Sequence, residues 1–297
     1  MKSIFYGSCV ALVTPFKHNK VDYDSFLRLI NRQIENETSA ILVLGTTGEG
    51  STINERERIE IIKFAREHTP KNIPLIVGCG TNDTNTSLQR VLQAQSLGAD
   101  GALVVTPYYN KTTQAGLVAH YTAICALSNL PIIVYNVPSR TGLNIEPDTM
   151  QKIASLKNVV GLKEANSNIS HILQMFHVLK TSIAIYSGND DLNYIFYALG
   201  GAGTISVTAN VLPREIASQF TDAKTSLKVH KKLYALNKVL FCEVNPTPIK
   251  CALQILDLCQ EEVRLPLVNV TDKNENKIKK ILNQDRKSTR LNSSHPS

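Results

Sequence analysis

Val159-Val160-Gly161-Leu162-Lys163-Glu164-Ala165 is a short apolar run that ends in a lysine. A lysine closing a buried strand is placed where its amine can be desolvated, lose its proton near neutral pH and attack a carbonyl. Two other strand-like runs end in matching chemistry. Ile41-Leu42-Val43-Leu44 leads into Gly45-Thr46-Thr47-Gly48-Glu49, and Ile132-Ile133-Val134-Tyr135-Asn136 leads into Val137-Pro138-Ser139-Arg140-Thr141-Gly142. An amine, hydroxyls, a phenol and a guanidinium therefore fall at strand ends, where a parallel α/β barrel gathers its reactive groups.

Outward from this run the same pattern repeats. Strands are expected at Ser8 to Thr14, Ser39 to Leu44, Pro74 to Gly78, Gly101 to Thr106, Pro131 to Asn136, Val159 to Lys163, Ile183 to Ser187 and Thr204 to Val207. They are continuous apolar runs, as expected of parallel strands buried on both faces. Helical segments separate them at the spacing of βα units. Asn54 to His68 carries a cap candidate and early acids, and Asp22 to Glu35 spaces Phe26, Leu27, Ile30 and Ile34 along one side. After the eighth strand the pattern turns helical, at Ser226 to Cys242, Thr247 to Leu258 and, weakly, Thr271 to Leu282. The reading is a (β/α)8 TIM barrel over residues 1–225 and a C-terminal helical extension over 226–284. The polar, aperiodic stretch 285–297 is expected to be disordered, with a non-native origin left open.

Bulk composition agrees. At 297 residues and 43% hydrophobic the chain can enclose one large core, and a single α/β barrel takes about 250 residues. No apolar run approaches the roughly 18 residues of a membrane span, and the start lacks a signal-peptide core. The six cysteines, Cys9, Cys79, Cys125, Cys242, Cys251 and Cys259, form no C-x-x-C pair and read as reduced core thiols of a cytoplasmic protein. The net charge of +7 is spread without a basic block or aromatic–basic alternation, which argues against nucleic acid as a partner. The seven histidines show no metal-ligand spacing.

Taken singly, each strand-end residue has a bland explanation: Lys163 as a solvated lysine, Tyr135 as a core tyrosine, Arg140 as half of a surface ion pair, Gly45 to Gly50 as a tight turn. Their joint appearance after successive strands shifts the balance. The stretches Gly45-Thr46-Thr47-Gly48-Glu49, Pro107-Tyr108-Tyr109-Asn110-Lys111, Tyr135 to Gly142, Gly161-Leu162-Lys163-Glu164-Ala165, Ile205-Ser206-Val207-Thr208-Ala209-Asn210 and Asn245-Pro246-Thr247-Pro248-Ile249-Lys250 resemble, in order, the dihydrodipicolinate synthase family of pyruvate-dependent Schiff-base aldolases.

That resemblance implies a Schiff-base-forming lyase of the class I aldolase type, condensing pyruvate with L-aspartate 4-semialdehyde in the diaminopimelate route to lysine, without metal or organic cofactor. It implies that Lys163 forms the imine and that Tyr135 shuttles protons, relayed by Thr46 and by Tyr109 from a neighbouring subunit. Thr47 would hold the pyruvate carboxylate beside the Ile205 backbone, and Arg140 would meet the carboxylate of the second substrate. A shared Tyr109 would exclude an active monomer, and the resemblance implies a homotetramer built from tight dimers.

Ser51, Asn82 and Tyr108 match the family's lysine-effector site, but Glu55, Arg58 and Thr86 stand where lysine-inhibited members carry histidines and a glutamate. Weak or absent lysine feedback is the expectation. Gly50 and Asn189 also depart from common family residues. The nearest rivals are N-acetylneuraminate lyase and 2-keto-3-deoxy sugar-acid aldolases, which share the lysine and tyrosine but usually lack the arginine. A barrel binding a phosphorylated ligand through Gly200-Gly201-Ala202-Gly203-Thr204 is the non-catalytic alternative.

Overall fold

A strand with apolar residues at every position must bury both faces, and a closed parallel barrel ringed by helices does so. The computed structural model describes residues 2–180 and 182–293, with side chains described as far as residue 284. Eight strands, β1 (Gly7–Ala11), β2 (Ala40–Val43), β3 (Leu75–Gly78), β4 (Gly101–Val105), β5 (Ile132–Asn136), β6 (Val159–Glu164), β7 (Ala184–Ser187) and β8 (Gly203–Ser206), close in the order β1-β8-β7-β6-β5-β4-β3-β2. Every neighbouring pair is parallel. The architecture is the expected TIM barrel.

Two apolar layers follow from the alternation of side chains along each strand. One lies between barrel and helices and includes Val10, Ile41, Val77, Val104, Val134 and Leu162. The other fills the barrel interior and includes Cys9, Ala11, Leu42, Ile76, Ile133 and Tyr186. Gly161 on β6 makes room for the large ring of Tyr186, whose Cε2 would lie 2.8 Å from a Cβ there. At the lower end Phe5 stacks on Tyr186 with centroids 4.3 Å apart, and the Tyr186 hydroxyl donates to the Phe5 carbonyl at 2.9 Å.

Helix starts match their caps. Asp22 accepts from the Ser25 amide ahead of Tyr23–Glu35. Asn54 and Glu57 form a reciprocal capping box ahead of Glu55–His68, a device that satisfies two otherwise orphaned amides. After β8 come the helices Ala223–Val239, Thr247–Ile255 and Asp272–Ser293.

Two expectations need correcting. The chain leaves β1 early for a two-stranded ribbon, Phe16–Lys17 with Lys20–Val21, too short to leave a periodic signal. The last helix does not stop near Leu282 but continues to Ser293, into the stretch expected to be disordered. Gln284, Arg286, Lys287, Arg290 and Leu291 favour helix, and no proline intervenes before Pro296. Residues 294–297 of that expected tail lie outside the described residues.

Candidate active site

Register brings Tyr135 on β5 opposite Lys163 on β6. Both point into the barrel at its C-terminal end, 7% and 6% exposed. The Lys163 Nζ lies 4.3 Å from the centroid of the Tyr135 ring. Cys9 on β1 lies below, close enough for the Lys163 charge to oppose the strong upward push that burial gives its thiol pKa.

The loop after β2 turns sharply, with Leu44 at φ 58° and Glu49 at φ 51°. It passes the end of β3 so closely that a Cβ at Gly78 would lie 2.2 Å from the Leu44 carbonyl oxygen, which only glycine tolerates. Thr47 is buried and its Oγ1 accepts from Asn245 Nδ2 at 3.0 Å. Thr46, its neighbour, is exposed to a cavity of about 390 Å³, shared with Tyr108, Tyr135, Arg140 and Asn245. Lys163 is not among the residues lining that cavity; it sits behind the Tyr135 ring, which is.

After β5 the chain forms the short helix Pro138–Thr141, stopped by Gly142 in the left-handed region at φ 66°. Arg140 lies on it, exposed, and its Nη2 donates to the Asn245 carbonyl at 3.3 Å. Asn245 therefore touches both Thr47 and Arg140. Its own Oδ1 is buried with no partner among the described residues. Ile205, on β8, is buried in the barrel interior. Tyr109 stands apart: it is 88% exposed, with φ 72°, on the loop after β4.

Among the remaining expected positions, Ser51 and Tyr108 line the cavity, and the Asn82 carbonyl accepts from Asn110 Nδ2 at 2.8 Å. Arg58 is 2% exposed and donates through Nη2 to the Gly78 carbonyl at 2.9 Å, with Cys79 Sγ at 3.4 Å. Burial pulls its pKa below the usual guanidinium range. Glu55 is turned toward Arg90, at 3.1 Å. Gly200 and Gly201 precede β8 and Gly203 opens it, so these glycines sit at the lower end of the barrel, opposite the cavity. A Cβ at Gly203 would strike the Gly7 carbonyl oxygen at 2.0 Å, so strand packing explains that glycine without a phosphate.

One feature of the site lies beyond strand-end reasoning. Glu49, closing the Thr46–Thr47 loop, forms a fully buried ion pair with Lys250 from the helix Thr247–Ile255. Lys250 also donates to the Glu262 carbonyl at 2.7 Å, and the Arg264 amide donates to Glu49 Oε2 at 3.0 Å. The Phe16 ring is flanked by Lys250 Nζ at 4.1 Å and the Arg264 guanidinium at 4.3 Å. Arg264 in turn grips Glu57 through two bonds of 2.6 and 2.7 Å. The C-terminal region is thus tied to the loop beneath the cavity. The only trace of this tie in the sequence is the acid and the base that end the stretches Gly45–Glu49 and Asn245–Lys250.

Among the described residues, no helix is long and apolar enough to cross a membrane, and no group of three or more His, Cys, Asp or Glu is placed to hold a metal ion.

Comparison with known proteins agrees with this geometry. Residues 4–285 match the model of the dihydrodipicolinate synthetase family. The chain is 45% identical over 280 residues to a 4-hydroxy-tetrahydrodipicolinate synthase of Alkaliphilus oremlandii, covering 93% of this chain and 97% of that protein. The crystal structure of a dihydrodipicolinate synthase from Thermotoga maritima matches with a TM-score of 0.94 at 44% identity, covering 95% and 99% of the two chains. A dihydrodipicolinate synthase variant characterised as monomeric matches with a TM-score of 0.93 at 44% identity, covering 95% and 97%. With sequence motifs, closed barrel and whole-length similarity in agreement, the chain belongs to the dihydrodipicolinate synthetase family.

Proposed function

We propose that this chain acts as a 4-hydroxy-tetrahydrodipicolinate synthase, condensing pyruvate with L-aspartate 4-semialdehyde through an imine on Lys163. The observation that carries the reading is the cross-strand pair at the barrel mouth, with the Lys163 Nζ 4.3 Å from the Tyr135 ring centroid and Arg140 at the rim of the same cavity. The Lys163 amine attacks the pyruvate carbonyl and water leaves. The imine then serves as an electron sink, so a methyl proton can be removed to give an enamine. Tyr135 moves protons at that centre, a positioned transfer commonly worth about 10²–10⁴-fold. The enamine carbon adds to the aldehyde, and the amine of the incoming substrate displaces Lys163 as the ring closes.

Thr47 receives the pyruvate carboxylate through its hydroxyl and amide, beside the backbone of Ile205. Arg140 meets the carboxylate of the aldehyde with the planar fork that suits it. That arginine favours a short carboxylated partner over the polyol portion of a sugar acid. Thr46 faces the cavity and continues the proton relay. Tyr109, at 88% exposure, is available to complete it in a second subunit, which supports a homotetramer of tight dimers. Cytoplasmic location fits a chain whose six cysteines are all free thiols.

The test is product formation from pyruvate plus aspartate semialdehyde, run beside N-acetylneuraminate cleavage. Borohydride trapping with pyruvate should leave an adduct on Lys163. Cleavage of the sugar acid without condensation would replace the reading, and no adduct on Lys163 would end it. Full activity in a species sedimenting as a monomer would remove Tyr109 from the relay.

A further inference from the structure

The catalytic pair has a second pair at its back. One residue beyond Tyr135 and Lys163, Asn136 and Glu164 are also in register across β5 and β6. Alternation turns these side chains away from the barrel interior, into the layer beneath the helices. Both are 0% exposed. On that same face, two residues earlier in each strand, stand Val134 and Leu162, members of the apolar layer. Packing alone asks for more aliphatic residues here, because a buried polar group costs free energy unless every hydrogen bond is made. The polar pair occurs at the level of the reacting groups.

Its bonds are made. Asn136 Nδ2 donates to both carboxylate oxygens of Glu164 at 3.0 Å each, and to Asn144 Oδ1 at 2.9 Å. Asn136 Oδ1 accepts from the Ile145 amide at 3.2 Å. Glu164 Oε1 also accepts from the Asn166 amide at 2.7 Å, and His171 Nε2 lies 3.5 Å from Oε2. The backbone closes the same junction, with the Ala165 amide donating to the Asn136 carbonyl at 2.9 Å. Immediately beyond, the ladder ends and the chain turns into the helix that carries Arg140.

We propose that Asn136 and Glu164 are positioning residues that lock the ends of β5 and β6 together, holding the Tyr135 phenol at its working angle to the Lys163 imine. The inference rests on the roles given above to Lys163 and Tyr135. Neither Asn136 nor Glu164 touches the substrate; they act through the strands. The step most sensitive to them is proton transfer, since displacement of about 1 Å can cost about 10²-fold in rate. Imine formation, which needs only the amine and a bound keto acid, tolerates more.

The experiment separates these two steps. Borohydride trapping at saturating pyruvate reads the imine, and exchange of pyruvate methyl protons in deuterated water reads proton removal. Parent protein must show both; a parent that fails to trap pyruvate at Lys163 overturns the functional reading and this inference together. In Glu164→Gln, trapping is expected to persist within about threefold, while exchange and kcat fall together by about 10–100-fold with little change in the KM for pyruvate. Persistent trapping also reports that the variant is folded. Asn136→Asp sets two carboxylates face to face and should be worse. The double variant Asn136→Asp with Glu164→Gln restores a donor opposite an acceptor and should recover exchange by about tenfold over Asn136→Asp. Exchange in Glu164→Gln within twofold of the parent, trapping that falls as far as exchange, or a double variant no better than Asn136→Asp would each overturn the proposal.

Discussion

Two buried lysine side chains, Lys163 and Lys250, place their Nζ atoms over aromatic rings at almost the same distance, 4.3 Å from Tyr135 and 4.1 Å from Phe16. Their surroundings otherwise differ. Lys250 is fully enclosed, paired with Glu49 and bonded to the Glu262 carbonyl. Burial lowers its pKa from the usual lysine value while Glu49 pulls the other way. Lys163 faces a tyrosine behind a cavity and is given no carboxylate partner by any ion pair among the described residues. A buried amine with a counterion is structural; one left facing a ring and a cavity is available for chemistry. Burial alone does not distinguish them.

The comparison breaks most sharply at Lys163. Lys163→Ala is expected to lower turnover by at least ~10⁴-fold while leaving denaturant stability near the parent value. Undiminished product formation would remove the nucleophile. Tyr135→Phe keeps the ring under the amine and removes only the hydroxyl, so turnover should fall by about 10²–10⁴-fold with trapping retained. Equal loss of trapping would assign Tyr135 to imine formation itself.

At Lys250 the loss should be of stability. Removing one partner of a buried pair costs about 3–5 kcal/mol, so Lys250→Met should unfold at markedly lower denaturant; adding Glu49→Leu should return much of that loss. A Lys250→Met protein as stable as the parent would dissolve the contrast.

His120 extends the comparison to an imidazole. It is buried beside Tyr121, its Nδ1 sits 2.9 Å from Thr84 Oγ1, and Asp83 pulls weakly against a burial that takes its pKa from 6.5 down to about 4. A base whose pKa is depressed on folding takes up a proton on unfolding. Stability should therefore be flat above pH 6.5 and fall as pH drops from 6.5 toward 4, by about 3 kcal/mol for this group. His120→Asn should flatten that slope in denaturation measured across the window; an unchanged slope would place the acid sensitivity elsewhere.

The smallest expected effect concerns free lysine. With Arg58 buried behind Gly78 and Cys79, and Glu55 turned to Arg90, added lysine should change turnover by less than about twofold. Tight inhibition that titrates with Asn82 or Tyr108 variants would reverse this expectation.

The barrel was legible because its strands are unbroken apolar runs, and the helix cap at Asn54 was legible because capping is local. Lys163, Tyr135 and Arg140 could be found because strand ends are where such a barrel exposes chemistry. The Glu49–Lys250 pair was not, since the partners stand far apart in sequence and only closure of the barrel and folding of the C-terminal helices bring them together. Asn136 and Glu164 were read inside motifs but not as a pair, because parallel register is set by tertiary packing. The ribbon at Phe16–Lys17 was too short for periodicity to report.

The stacked rings of Phe5 and Tyr186 fill the lower end of the cylinder. The barrel is accordingly a well rather than a tunnel, and arrivals and departures share one doorway. Whatever binds deepest must come first, so a molecule resting at the rim acts as a stopper over the one below it.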